Sequence, residues 1–142
     1  MARVSTYLNF VRETEAAFNF YKTVFNSNFE GEIMRYSGMP AQKDCAPMSE
    51  ADKNLIMHIQ LPILGGHVLM GSDALESMPF KVVFGNNSYI MLEPDTKEET
   101  RKIFGHLAEG GVVEQELQEM FWGGLYGTLT DKFGVKWMFN CQ

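Results

Sequence analysis

Two stretches of the chain follow the same plan, and this repetition is what most limits the folds available to it. Residues 121–141 hold two short apolar runs, 125–129 and 135–139, joined by a polar turn that ends at Gly134. The pattern predicts a β-hairpin with glycine at a position of positive φ. Residues 54–71 repeat the plan 68 positions upstream, with a turn that ends in Gly65-Gly66. We therefore predict two similar modules.

The segments that precede the hairpins also repeat. In residues 6–10, apolar and polar side chains alternate, as in a short strand. Residues 88–93 resemble this segment when the sequence is shifted by 82 positions, which aligns Tyr89 with Tyr7. Further strands are predicted at 30–36 and 112–117. With one helix in each half, both halves read strand, helix, strand, strand, strand.

The two predicted helices have recognisable ends. In the first, apolar residues recur at three and four residue spacing up to Phe25, and Thr14 is the predicted N-cap. The second begins with the capping box 96–99 and stops at Gly110-Gly111. Between the first helix and the first hairpin, residues 37–54 show neither helical nor strand periodicity. We therefore predict a long mobile loop there, which could be a lid, a dimer arm or a disordered segment.

A four-stranded sheet that carries one helix can bury only one of its faces through that helix. Two such modules are therefore expected to pair their open faces around a shared cleft. The predicted fold class is α+β, with two tandem βαβββ modules forming a curved mixed sheet around that cleft. We expect one domain, residues 1–142, with the first module at about 1–73 and the second at about 87–142.

Charge and cysteine content limit the partners and the compartment. Twelve Lys and Arg against eighteen Asp and Glu give a net charge of -6, which argues against nucleic acid and against an anionic membrane. The two cysteines, Cys45 and Cys141, are expected to be free structural thiols. No signal peptide or long apolar run precedes the first strand, so a cytoplasmic location is expected.

Several motifs together resemble a known family. They are the βαβββ repeat, the helix pattern Ala17-Phe18-x-Phe20-Tyr21-x-x-Val24-Phe25, the Gly65-Gly66 turn followed by Leu69-Met70-Gly71-Ser72-Asp73, and Phe121-Trp122-Gly123 leading to residues 131–137. The chain resembles the PhnB-like subgroup of the vicinal oxygen chelate superfamily, which includes glyoxalase and bleomycin-resistance proteins. The resemblance implies the glyoxalase/bleomycin-resistance fold, a homodimer and a small-molecule cleft. Members are often labelled demethylubiquinone methyltransferase-like, but this chain has no glycine-rich loop between a strand and a helix for an adenosyl cofactor.

The superfamily's chemistry implies a divalent metal held by the first and last strands of each half. By alignment, the ligand positions fall near Ser5 or Thr6, at Met70, near Asn87 or Ser88, and at Met138. None is a histidine or a carboxylate, and a thioether is a poor ligand for hard or borderline cations. No cofactor is therefore expected. A displaced metal site stays open as the disfavoured alternative.

Strand alternation predicts which side chains line the cleft. The ligand-binding candidates are Tyr7, Asn9, His58, Gln60, Met70, Tyr89, Met91, Trp122, Tyr126 and Met138, with Glu93 and Thr128 on the same faces. His58 is the only imidazole in this set. It is either a histidine satisfied by its neighbours or a general acid or base that Glu93 or a tyrosine orients. Trp122 either closes over a ligand or anchors a dimer contact.

Two functional classes follow from these residues. The first is a dimeric small-molecule-binding protein with a degenerate metal site and no reaction. The alternative is an isomerase, lyase or transferase, metal-dependent or metal-free, in which His58 and Glu93 transfer protons. The missing metal ligands favour the first.

Overall fold

The computed structural model describes residues 1–40 and 48–142, so the expectation for Cys45 lies outside the described residues. The chain divides into two compact units, Met1–Val82 and Val83–Gln142. The division falls between the two predicted modules. That both modules form a single domain stays a prediction.

The first unit is a four-stranded sheet with one long helix. In chain order it contains β1 (Thr6–Phe10), α1 (Thr14–Phe25), β2 (Met34–Arg35), α2 (Glu50–Lys53), β3 (Ile56–Pro62) and β4 (Val68–Asp73). The sheet order is β1-β4-β3-β2, with β1 parallel to β4 and the other pairs antiparallel. The predicted limits of β1 and the predicted end of α1 at Phe25 are confirmed.

The helix packs directly on the sheet of this unit. Phe18, Tyr21 and other apolar residues of α1 are buried, as are Ile59 and Leu61 of β3. A Cβ built on Gly71 of β4 would lie 2.6 Å from Cε1 of the Phe18 ring. Only glycine leaves room for this ring, so the contact fixes how closely the helix approaches the sheet.

The start of α1 differs from the prediction. Thr14 is the first helical residue and not the N-cap, and Glu13 at the N-cap makes no side-chain capping bond. Instead, the Thr14 backbone N–H and hydroxyl both donate to Oδ1 of buried Asp73, at 3.1 and 2.8 Å. Oδ2 of the same carboxylate accepts from the Ile56 N–H at 2.8 Å. A carboxylate from β4 therefore satisfies the helix start that a local cap was expected to satisfy.

The second unit repeats the architecture. It contains β5 (Ile90–Leu92), α3 (Lys97–Ala108), β6 (Val112–Glu119), β7 (Leu125–Thr130) and β8 (Lys136–Cys141). The sheet order is β5-β8-β7-β6, with β5 parallel to β8. Thr96 caps α3 by accepting from the Glu99 N–H at 3.0 Å, as predicted. Gly134 has a φ of 91° in the turn before β8, which confirms the predicted hairpin.

Two predictions about the first unit are wrong in extent. The strand predicted at 30–36 is only β2, because the chain turns at Tyr36 into a 3₁₀ helix, Tyr36–Gly38. The segment predicted as a loop at 37–54 contains that turn and α2, which Ser49 caps by accepting from the Asp52 N–H. Residues 41–47 of this segment lie outside the described residues.

The strand pairing also corrects the internal alignment. Tyr7 of β1 lies opposite Met70, and Met91 of β5 lies opposite Met138. Met91 is therefore the counterpart of Tyr7, and the alignment of Tyr89 on Tyr7 is two residues off. The shift is even, so Tyr89 and Met91 still share one face of the sheet.

The predicted architecture is confirmed as α+β. Each unit has the order strand, helix, strand, strand, strand, and a mixed four-stranded sheet. Within the described part of the chain, none of the helices combines the length and the apolar content needed to span a bilayer.

Candidate functional site

The sheet of the first unit has one face that the helix does not cover. Tyr7 and Asn9 of β1, Met70 of β4, and His58 and Gln60 of β3 point to this face, which we call the first open face. Tyr7 lies opposite Met70, and Met70 in turn lies opposite Gln60. The Tyr7 side chain is 47% exposed, so it is accessible to a ligand. The structure thus brings together all five predicted site residues of the first module.

A chain of hydrogen bonds crosses this face. The Tyr7 hydroxyl lies 3.3 Å from Nδ1 of His58, and Nε2 of His58 lies 2.8 Å from Oε1 of Gln60. The Gln60 amide nitrogen donates to Oε1 of Glu30 at 3.1 Å. The rings of Tyr7 and His58 are 5.8 Å apart and tilted by 36°. Four side chains from three segments therefore hold one another in place.

The donors and acceptors in this series of hydrogen bonds are mutually consistent. The amide oxygen of Gln60 can only accept, so a neutral His58 carries its proton on Nε2. Nδ1 is then the acceptor, and the Tyr7 hydroxyl donates to it. Glu30 fixes the amide of Gln60, and Gln60 in turn fixes the imidazole. The phenol of Tyr7 is the exposed end of this series of hydrogen bonds.

The second unit has an equivalent face opposite α3, which we call the second open face. Met91 and Met138 lie opposite each other on β5 and β8, and Tyr126 lies opposite Asn140 on β7 and β8. Alternate residues point to the helix side, and Trp137 is fully buried there. Thr128 shares the second open face but is only 4% exposed. Little of Thr128 is therefore accessible, and its role in the lining stays a prediction.

Trp122 lies in the turn between β6 and β7. Its ring meets Tyr126 edge to face at 6.1 Å, and Phe121 meets it at 5.0 Å. Trp122 is 44% exposed and Phe121 is 96% exposed. Exposed aromatic rings at the edge of an open face can contact a ligand or a partner chain, so both interpretations of Trp122 stay open.

Tyr89 belongs to a charged cluster at the other end of the second open face. The Lys136 ammonium donates to Oε2 of Glu114 at 2.6 Å and to the Thr130 hydroxyl at 3.0 Å, and it lies 5.3 Å from the Tyr89 ring centre. The Tyr89 hydroxyl donates to Oε1 of Glu114 at 3.3 Å. The hydrogen bond with Glu114 raises the pKa of Lys136. A shallow depression of about 600 Å³ adjoins this cluster, lined in part by Phe84, Thr130 and Lys136.

Comparison with known proteins places the chain in a family. The family model described as 3-demethylubiquinone-9 3-methyltransferase matches residues 2–139. The chain belongs to this PhnB-like family. It is 30% identical to protein YjdN of Escherichia coli over 96% of the chain and 93% of that protein.

Solved structures agree with this placement. The chain is similar to protein PA1353 from Pseudomonas aeruginosa, with 32% identity, a TM-score of 0.81 and coverage of 100% of the chain and 98% of that protein. A PhnB protein from Bacillus cereus, described as a putative 3-demethylubiquinone-9 3-methyltransferase, has 25% identity, a TM-score of 0.75 and coverage of 99% and 100%. A glyoxalase/bleomycin resistance protein/dioxygenase family enzyme from Burkholderia phytofirmans shares the fold at 19% identity, a TM-score of 0.61 and 96% coverage of both chains.

The residues at the implied metal positions do not fit a divalent ion. Met70 and Met138 offer thioethers, and their strand partners are Tyr7 and Met91. The Thr6 hydroxyl is engaged by Nε2 of His67 at 2.8 Å. The corrected alignment moves the position expected at Asn87 or Ser88 to Tyr89 or Ile90, which adds no histidine or carboxylate. Within residues 1–40 and 48–142, no group of three or more His, Cys, Asp or Glu side chains could hold a metal ion.

Glu93 lies just after β5 in the second unit, where its side chain is exposed. His58 lies in the first unit and has Tyr7 and Gln60 as its partners. Of the orienting groups expected for His58, the tyrosine is therefore present. The joint action of His58 and Glu93, and the cleft shared by the two open faces, stay predictions.

The sequence pattern does not reveal the role of several residues of these faces. Glu30 falls in the strand predicted at 30–36, and the sequence pattern gives Glu114 and Lys136 no role. Their contacts span 22 to 30 positions in the sequence, so no local pattern could reveal them. Cys141 is buried and unpaired at the end of β8, in agreement with a structural thiol.

Proposed function

We propose that the protein binds a small organic molecule against its open faces, as a homodimer and without a resident metal. The observation that carries this proposal is the exposed ring of Tyr7, whose hydroxyl is held by His58 beside Met70. Small-molecule sites combine apolar and aromatic walls with a few fixed polar groups. Tyr7, Met70 and His58 form that combination on three neighbouring strands.

A fixed aromatic ring favours binding because little side-chain entropy remains to be lost. The contact with His58 restrains Tyr7 before any ligand arrives, and Gln60 and Glu30 restrain His58. Preorganisation of this kind lowers the free-energy cost of association. The soft thioether side chains of Met70, Met91 and Met138 adapt to a ligand's outline.

Titration with the dye 1-anilinonaphthalene-8-sulfonate tests the proposal. We expect saturable binding that Tyr7→Ser weakens by about tenfold. Val11→Ser is the matched control, because Val11 is 50% exposed but lies beyond β1. Equal loss of dye binding in both variants, or no loss in either, would count against the first open face as the site.

Metal-free proton transfer is the second candidate, and the hydrogen-bond chain on His58 favours it. A tautomer fixed by Gln60 leaves Nδ1 as a base directed at the Tyr7 hydroxyl, with Glu93 as the proposed second group. Deuterium incorporation into small α-hydroxyketones in D₂O would report such chemistry. Exchange no faster than in buffer, or equal in wild type and His58→Gln, would exclude it for these substrates.

Adenosyl-dependent methyl transfer, which the family's description suggests, is disfavoured. The connections from β1 to α1 and from β5 to α3, residues 11–13 and 93–96, contain no glycine. A phosphate or adenosyl group needs close backbone approach at such a turn. Calorimetric titration with S-adenosylmethionine is therefore expected to show no binding heat, and a stoichiometric response would revive this activity.

A homodimer is proposed on the resemblance and on exposed apolar side chains. Phe80, Val83, Phe84 and Phe121 are each more than half exposed in the single chain. Exposed apolar side chains of this kind contribute to protein contacts where they cluster. Light scattering coupled to gel filtration should give twice the 16.1 kDa chain mass.

A cytoplasmic location is proposed as well, and cell fractionation tests it.

A further inference from the structure

We propose that Asn140, Trp122 and Tyr126 form a subsite for a planar aromatic lactam, that is, a ring whose adjacent N–H and C=O groups donate and accept. The inference rests on the proposed small-molecule binding and assigns a ligand class to one part of the second open face. Three observations support it.

The first observation is an acceptor that lacks a partner. Oδ1 of Asn140 is buried, and it has no hydrogen bond within the described part of the chain. Buried polar atoms almost always have a partner, so an exception calls for a specific explanation. Asn140 lies on the same face of β8 as Met138, directly opposite Tyr126. A ligand on this face could supply the donor once the Trp122 ring, which lies beside Oδ1, moves aside.

The second observation is the pair of aromatic rings beside this acceptor. Trp122 and Tyr126 stand nearly perpendicular, with an interplanar angle of 76° and centres 6.1 Å apart. A flat ligand can therefore stack on one ring and meet the edge of the other. The exposure of Trp122 leaves its ring open to solvent.

The third observation is the close approach of the Trp122 ring to Gly124 and to the same acceptor. A Cβ built on Gly124 would lie 2.8 Å from Nε1 of Trp122 and 3.2 Å from Oδ1 of Asn140. One donor and one acceptor of the protein therefore flank the same point. Gly124 does not have a positive φ, so the backbone conformation does not itself require glycine there.

These groups select a ligand by complementarity. The indole N–H of Trp122 can donate to a carbonyl, and Oδ1 of Asn140 can accept from an adjacent N–H. A cis-lactam carries both groups side by side in the plane of its ring. Methylation of the lactam nitrogen removes only the donor and leaves the carbonyl and the flat surface unchanged.

A matched pair of probes tests the subsite, namely 2-quinolone and 1-methyl-2-quinolone. Each is titrated into uniformly ¹⁵N-labelled protein, and the indole signals of Trp122 and Trp137 and the side-chain amide of Asn140 are followed. We expect 2-quinolone to bind about tenfold more tightly and to shift Trp122 and Asn140 but not buried Trp137.

Two variants separate the acceptor from the rest of the face. Asn140→Leu should reduce the preference for 2-quinolone to about one, whereas Asn140→Asp keeps an acceptor and should retain the preference. Because the ratio of the two affinities is measured first in the wild type, the test does not depend on the folding of either variant.

The outcomes distinguish this inference from the function on which it rests. Equal binding of both probes in the wild type, or tighter binding of the methylated probe, would overturn the lactam subsite and leave small-molecule binding intact. Shifts that spare Trp122 and Asn140 would overturn it in the same way. If neither probe nor the naphthalene dye binds, both the subsite and the proposed function fail.

Discussion

Nε2 of His58 lies 2.8 Å from Oε1 of Gln60, so the imidazole N–H is committed to an amide oxygen on the same strand. Residues two apart on a strand share a face, which lets β3 orient its own histidine. Glu30 then fixes Gln60 from the neighbouring segment. The only imidazole predicted on the open faces is therefore held in one tautomer by its surroundings.

The tautomer of His58 should depend on Gln60. In the wild type, ¹H–¹⁵N correlation of the neutral ring should show the proton on Nε2, and Gln60→Leu should give a mixture of tautomers. The variant should also lose about 1 kcal/mol of stability. Gln118→Leu, an exposed glutamine on β6, is the control and should leave the ring signals unchanged. A wild-type ring protonated on Nδ1 would contradict the assignment.

Gly71→Ala should destabilise the protein, because the new Cβ would lie 2.6 Å from Cε1 and 2.9 Å from Cζ of the Phe18 ring. Overpacking of this kind costs about 1–3 kcal/mol. Chemical denaturation of the variant measures the loss. Gly38→Ala, where nothing lies within 4 Å of the added Cβ, should change stability much less. Equal stability of the two variants would show that α1 can move away from the sheet.

The helices and hairpins could be predicted because their signals are local. The end of α1, the Thr96 cap and the Gly134 turn each depend on residues within a few positions of one another. The helix start at Thr14 was mispredicted because its acceptor, Asp73, lies 59 positions away. The hydrogen-bond chain on His58 escaped prediction for the same reason, since a sequence pattern gives the face of a strand but not its neighbour.

Alkaline stability should depend on Tyr36. Burial raises the pKa of the Tyr36 phenol, the charge of Asp73 adds to the rise, and the hydroxyl donates to the Asp73 carbonyl at 2.7 Å. A raised pKa in the folded state gives stability that is complete below the unfolded value of 10.0 and is lost as the pH rises through the folded value. The unfolding free energy of wild type should therefore fall more steeply above about pH 10 than that of Tyr36→Phe.

The Tyr36→Phe variant should also be about 1 kcal/mol less stable at neutral pH, because the buried Asp73 carbonyl loses its donor. Denaturant titrations across pH 7 to 11 measure both effects. Parallel curves for the two proteins at alkaline pH would show that Tyr36 does not control this loss of stability.

Gly124→Ala should weaken ligand binding at the second open face without unfolding the chain. The added Cβ would lie 2.8 Å from Nε1 and 3.1 Å from Cδ1 of Trp122, so the indole ring would have to move away from Asn140. We expect at least about a tenfold loss in affinity for 2-quinolone. Gly105→Ala on α3, with nothing within 4 Å of its Cβ, is the matched control and should bind normally. Unchanged binding in Gly124→Ala would mean that the position of the Trp122 ring does not control binding.

We propose that the open faces bind an organic molecule without the metal that the superfamily uses. Elemental analysis of protein purified without chelators, combined with dye titration before and after chelator treatment, tests it most directly. We expect less than about 0.1 divalent ion per chain and the same dye affinity in both samples. About one divalent ion per chain, lost together with dye binding in His58→Ala, would contradict it.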